Sequence, residues 1–95
     1  MLTNITNYKI SFKKNYQYDT LSWDILFDGK IRYTDTYVYE TVDTGIINYS
    51  YYFSKGKLNC NNLCFKSLFD AKDALIKAIS EYEQILLVLE KHEEI

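Results

Sequence analysis

The chain has no proline, three glycines, two cysteines and one histidine in 95 residues. Each scarcity closes off a class of mechanism. Gly29, Gly45 and Gly56 all fall in turn contexts, so no glycine-rich loop is left to cradle a phosphate. Cys60 and Cys64 are too few for a secreted disulfide framework. The opening Met1-Leu2-Thr3-Asn4 lacks the basic start and apolar stretch of a signal peptide, so a reduced, cytoplasmic setting is expected. Cys60-x-x-x-Cys64 offers two thiolates where zinc needs three or four ligands. His92 stands far from them near the C-terminus, a poor place for a general base. No metal, cofactor or catalytic residue is assigned, and the chain is expected not to be an enzyme. Charge of one sign is scarce as well. A net charge of −2 argues against a dedicated DNA binder and equally against an acidic DNA mimic. The longest apolar run in the C-terminal segment, Ile85-Leu86-Leu87-Val88-Leu89, is far short of the roughly 20 residues a membrane helix needs.

What is present is a hydrophobic fraction of 47%, enough for one well-filled core, and ten tyrosines. The chain is expected to form a single domain over residues 1–95. Its final third, 67–95, carries helix signals throughout. Ser67 followed by Asp70 fits a capping box with Asp in place of Glu, and Asp70 and Asp73 suit the positive end of the helix dipole. Leu68, Ala71, Leu75, Ala78, Tyr82, Ile85 and Leu89 follow each other in steps of three and four, one stripe of a helix. Ile79 and Leu86 widen the stripe to a face that can lie on a sheet. Asp73, Lys77, Glu81 and Gln84 fall on the other side, with Asp73 and Lys77 spaced for an i,i+4 ion pair. A helix over about 68–92 measures roughly 37 Å, while a common strand spans about 17–20 Å. The helix end must then overhang its sheet, and Leu87 and Val88 there continue rows occupied by Ser80, Glu83 and Gln84. They point away from the sheet. Either a loop or the first strand covers them, or they meet a partner or a second copy of the chain.

Before the helix the period is two. Residues 7–13 put Tyr8, Ile10 and Phe12 on one face and Lys9, Ser11 and Lys13 on the other. Residues 14–19 read as a polar loop. Leu21, Trp23, Ile25 and Phe27 are the apolar side of a second strand. Asp28-Gly29 is a turn signal. A two-residue loop there pairs Ile25 with Arg32 and puts charge on the apolar face, so a three-residue loop is expected, with Gly29 in the left-handed position. The third strand, 31–42, is expected to show Ile31, Tyr33, Tyr37 and Tyr39 on the core face. Asp43-Thr44-Gly45 reads as another three-residue loop, setting Tyr39 opposite Tyr49 and Tyr37 opposite Tyr51. A fourth strand, 46–53, adds Ile47, Tyr49, Tyr51 and Phe53 to that face, and Leu58 and Cys60 suggest a short edge strand. The reverse face then carries Arg32, Thr34, Thr36, Glu40, Asn48 and Ser50, a solvated surface. Asp35 falls in the apolar phase of the third strand. It is either partly buried with a raised pKa, or turned outward by a bulge or bonded by a tyrosine hydroxyl. The expected architecture is α+β: a four- to five-stranded antiparallel meander packed on one face by a single long C-terminal helix.

Charge is uneven along the chain. Residues 1–69 carry eight basic and six acidic side chains, and residues 70–95 carry three and seven. The sheet is mildly basic and the helix acidic. Most tyrosines read as core with hydroxyls reaching the rim. Tyr16, Tyr18 and Tyr52 fall outside that pattern, and exposed tyrosine is favoured at protein interfaces. Aromatic residues on a sheet beside lysines also suit the stacking of single-stranded bases, but a helix over the aromatic face would cover them.

The stretch Phe65-Lys66-Ser67-Leu68-Phe69-Asp70-Ala71-Lys72-Asp73-Ala74-Leu75-Ile76 resembles an F-x-S-L-x-x-A-K-x-A-I pattern found in small orphan proteins of phages and mobile elements, several anti-CRISPR proteins among them. It covers twelve residues and transfers no functional residue. The resemblance implies a non-enzymatic protein that occupies another protein's surface, such as an inhibitor of a host nuclease or CRISPR effector complex acting by steric blockade in the host cytoplasm. The candidate contacts are Tyr16, Tyr18, Arg32, Leu87 and Val88, with homodimerisation through the helix end as a possibility. The alternative is a small nucleic-acid-binding accessory or regulatory protein that uses the basic sheet face.

Overall fold

The computed structural model describes residues 7–17, 19–56 and 64–93. Four strands, β1 (Ile10–Gln17), β2 (Thr20–Phe27), β3 (Tyr37–Asp43) and β4 (Ile46–Tyr52), form an antiparallel sheet in chain order and precede one helix, α1 (Leu68–Glu93). The fold is α+β, as the sequence pattern requires. Phe65 adds one bridge outside β4, exchanging backbone hydrogen bonds with Tyr49 at 2.7 and 2.8 Å. The proposed edge strand at Leu58 and Cys60 lies outside the described residues.

The first hairpin is tighter than the sequence suggested. β1 runs on through Lys14, Asn15 and Tyr16 to Gln17, which pairs with Thr20, so 14–17 is strand and not loop. The two later turns are two residues long, not three. Phe27 and Lys30 exchange backbone bonds of 2.8 and 3.1 Å around Asp28-Gly29, and Asp43 pairs with Ile46 around Thr44-Gly45. Both central residues of each turn have positive φ: 54° and 77° in the first, 49° and 79° in the second. That is the geometry whose twist matches a hairpin.

The objection to a two-residue turn at Asp28-Gly29 was that it would set Arg32 against Ile25. The chain meets it by abandoning the ladder after one bridge. Segment 31–36 leaves the sheet, bends at Asp35 (φ 52°), and returns at Tyr37 opposite Asp24. The third strand therefore starts at Tyr37, six residues later than its alternation suggested. Leaving the ladder frees Tyr33 to turn into the core, where its ring meets Phe27, Phe53 and Tyr82 edge-on at 5.3–6.3 Å. Ile31, expected beside it, is 61% exposed. Ser54 ties the segment down, donating to the Thr34 carbonyl at 2.8 Å.

The shorter second turn also inverts the faces of β3. Val38, not Tyr37 or Tyr39, lies between Trp23 and Tyr51, and it is fully buried. Tyr39 is opposite Ser50, and Tyr37 is opposite Tyr52. The alternation in 37–42 was read in the wrong phase because tyrosine suits either side of a sheet.

The core joins Trp23, Ile25, Phe27, Val38, Tyr51 and Phe53 of the sheet half to Ala71, Leu75 and Ile79 of α1. Ser67 caps the helix, accepting from the Asp70 amide at 3.0 Å, and Lys77 pairs with Asp73 at 3.0 Å. The helix lies over β3 and β4. Its first turn stands beside Phe65 and Tyr49, and its Tyr82 meets Phe53, so it travels toward the Asp28-Gly29 end. A 26-residue helix is about 39 Å long and overshoots. Ile85, Leu86, Val88 and Leu89 remain exposed. No helix among the described residues is long and apolar enough to cross a membrane.

Candidate interaction surface

The residues singled out from the sequence do not converge. Tyr16, 69% exposed, pairs with Leu21 near the β1–β2 turn, the end at which the helix begins. Val88, exposed, and Leu87, half-buried, stand at the far end of the helix. Tyr18 lies outside the described residues. Arg32 is not on the open sheet face. With the rest of its segment off the ladder, it reaches the helix side and is held there.

Its holder is Glu83, a residue that helical periodicity placed on the solvent side. Glu83 is 5% exposed. It accepts from Arg32 Nε at 2.9 Å and Nη2 at 3.4 Å, and from the Tyr33 hydroxyl. Arg32 Nη1 donates to the Tyr8 hydroxyl at 3.1 Å, and the guanidinium lies 5.0 Å from the centre of the Tyr8 ring. Glu83 holds Arg32 firmly protonated, its side-chain hydrogen bond outweighing the opposing effect of burial. Burial, reinforced by the bond to Glu83, pushes the Tyr33 hydroxyl well above its ordinary 10.0. This centre fastens 31–36 to the helix. Three of its hydrogen bonds end on the buried Glu83 carboxylate, so its role is cohesive.

The other side of the sheet is the one α1 does not cover, and register puts tyrosines there. Two cross-sheet rows run Asn15–Ser22–Tyr39–Ser50 and Lys13–Asp24–Tyr37–Tyr52. Tyr37 touches Tyr39 along its strand and Tyr52 across it, with ring centres 5.9 Å apart in both cases. Tyr39 stands between two serines, and both Ser22 and Ser50 are 2% exposed although α1 lies on the other face. Among the described residues the Ser22 hydroxyl has no hydrogen-bond partner. Tyr37 is pushed above the ordinary tyrosine range by desolvation first, then by the potentials of Tyr39, Asp35, Tyr52 and Asp24. The trio was missed because the wrong turn length assigned Tyr37 and Tyr39 to the core, leaving Tyr52 alone outside it. Counting from a two-residue Thr44-Gly45 turn would have found it.

Beside the trio the sheet is split. Where the β2–β3 ladder stops, a cleft of about 230 Å³ opens against segment 31–36, with Asn15, Asp24, Ile31, Asp35 and Tyr37 among its walls. Asp35 is exposed at its positive-φ turn and is not part of a strand, so its apparent apolar phase is an accident of the segment leaving the sheet. Cys64 is an exposed free thiol, and Cys60 and the His92 side chain lie outside the described residues. Among the described residues no group of three or more His, Cys, Asp or Glu side chains could hold a metal.

The chain matches no protein-family model, no curated protein and no solved structure.

Proposed function

We propose that the chain is a non-enzymatic protein-binding protein that acts by covering a partner's surface with the tyrosine-bearing face of its sheet. The observation that carries this reading is the contiguous Tyr37–Tyr39–Tyr52 cluster on the face the helix leaves open. Tyrosine offers a large, stiff, half-polar contact at small entropy cost, which is why it is enriched at the centres of interfaces. The rings are set on strands and braced against one another, so they need no ordering on binding. The exposed leucine-rich helix end supplies a second apolar surface, for a partner or another copy of this chain. The finer proposal is a steric inhibitor of a host nuclease or CRISPR effector complex, of the phage and mobile-element kind that the opening of its helix resembles.

The test uses purified effector complexes. The wild-type chain should bind one and block target cleavage near equimolar ratio. Tyr37→Ala with Tyr39→Ala should lose most of that block while remaining folded. Cleavage that continues unchanged with saturating chain present removes the inhibitor proposal.

The same trio favours one second reading, base stacking by a single-stranded nucleic acid. The open face argues against it in one respect: its Lys13 sits opposite Asp24, leaving little net positive charge for phosphates. Anisotropy of labelled DNA and RNA oligonucleotides separates the two readings. Affinity for an oligonucleotide that falls steeply with salt selects the second.

A further inference from the structure

The cleft beside the tyrosines has a chemistry of its own. Asp24 and Asp35 stand in its walls together with the Tyr37 ring, and the exposed side chain of Ile31 forms an apolar rim shared with a second depression toward Lys13 and Leu26. Among the described residues neither aspartate forms an ion pair. The one hydrogen bond to either is a long one, from the Asn15 amide to Asp24 at 3.4 Å. Both carboxylates also raise the Tyr37 hydroxyl above its ordinary range, after burial and Tyr39. A cleft with two carboxylates outside any ion pair of the described residues, an aromatic wall and an aliphatic lip complements one side chain closely. A guanidinium forms forked bonds to carboxylate, lies flat on an aromatic ring, and carries an aliphatic stem that covers apolar surface.

We infer that this cleft receives an arginine side chain of the partner protein. The inference rests on the protein-binding reading above and specifies what the partner must present next to the surface that meets the tyrosines. The split in the sheet is then what makes the face selective. Three tyrosines accept many surfaces, and a slot with two carboxylates in its walls rejects one that offers an acid there.

The experiment needs no partner. The chain, labelled for amide NMR, is titrated with a blocked Gly-Arg-Gly tripeptide, with the citrulline tripeptide that keeps the shape and removes the charge, and with the lysine tripeptide. The arginine peptide should move the amides of Asn15, Asp24, Ile31, Asp35 and Tyr37 in a saturable way, and citrulline should not. Lysine should bind more weakly, since it cannot fork or stack. Asp35→Asn is the first variant, because Asn tolerates a positive φ and the position is exposed, so the fold is kept. It should weaken arginine binding about tenfold, the equivalent of about 1.4 kcal/mol. Asp24→Asn should do the same independently. Absence of localised shifts, equal shifts with citrulline, or full binding by Asp35→Asn overturns the inference, and lysine binding as well as arginine overturns its choice of side chain. These outcomes are separate from the fate of the tyrosine proposal. A chain that blocks an effector through Tyr37 and Tyr39 yet ignores the arginine peptide loses the cleft assignment and keeps the function.

Discussion

Glu83→Ala should be the most damaging single change to a charged residue in this chain. Glu83 takes three donors, two from Arg32 and one from Tyr33, on a side chain 6% exposed. Breaking a fully buried ion pair costs about 3–5 kcal/mol, largely because the orphaned partner stays buried. Arg32 is not fully buried: its side chain keeps 32% exposure, so water can take over much of its guanidinium. That discount lowers the expected cost to about 2–3 kcal/mol, in line with about 1.5–3 kcal/mol for a hydrogen bond to a charged group. In a domain of this size such a loss lowers Tm by roughly 10–20 °C. Glu83→Gln, which still offers Tyr33 an acceptor, should cost about half as much. Glu81→Ala, two residues away and exposed, should change stability by less than about 0.5 kcal/mol. Urea unfolding of the three variants measures all of this, and a cycle with Arg32→Met should show coupling of at least about 1 kcal/mol. If Glu83→Ala is as harmless as Glu81→Ala, segment 31–36 is not fastened to the helix, and the cleft that depends on its position is not there either.

The same centre predicts a pH response. Tyr33 is raised above its ordinary 10.0, so the unfolded chain releases this proton first. Stability from Tyr33 is therefore complete below pH about 10 and declines as pH rises above it. Tyr33→Phe should flatten that alkaline decline in a series of denaturant titrations. Thr44 holds φ 49°, costly for a β-branched residue, so Thr44→Asn should stabilise by about 0.5–1 kcal/mol and raise the urea midpoint. Ile79→Ala, at a fully buried helix position, should cost about 2–5 kcal/mol in the same assay. Val88→Glu on the exposed helix end should leave stability within about 0.5 kcal/mol, while any concentration-dependent increase in size by light scattering should disappear. A wild type that stays monomeric at all concentrations, with Leu87→Glu indistinguishable from it, removes self-association through the helix end.

The helix was legible before any coordinates. Its cap at Ser67, the Asp73–Lys77 pair, the Ala71–Leu75–Ile79 stripe and the overhang all follow from a period of 3.6 and a known rise per residue, which are local properties of the backbone. The order of strands and the apolar side of β2 were legible for the same reason, since Leu21, Trp23, Ile25 and Phe27 admit only one inward face. The tyrosines of β3 were not. Val38 and Tyr37 are both plausible core residues, and a change of one residue in turn length exchanges their faces.

That ambiguity decided which surface is available for function. Tertiary structure resolved it by choosing two-residue turns, burying Val38 under the helix and paying with a broken ladder at 31–36. The break then carried Arg32 to Glu83, opened the cleft beside Asp24 and Asp35, and left Tyr37, Tyr39 and Tyr52 on the face opposite the helix, the first two half-buried and Tyr52 exposed. Sequence by itself determined the elements and their order, because these depend on neighbours along the chain. Which residues face outward depended on partners some fifty positions apart, as for Arg32 and Glu83, and only the packed chain brings those together.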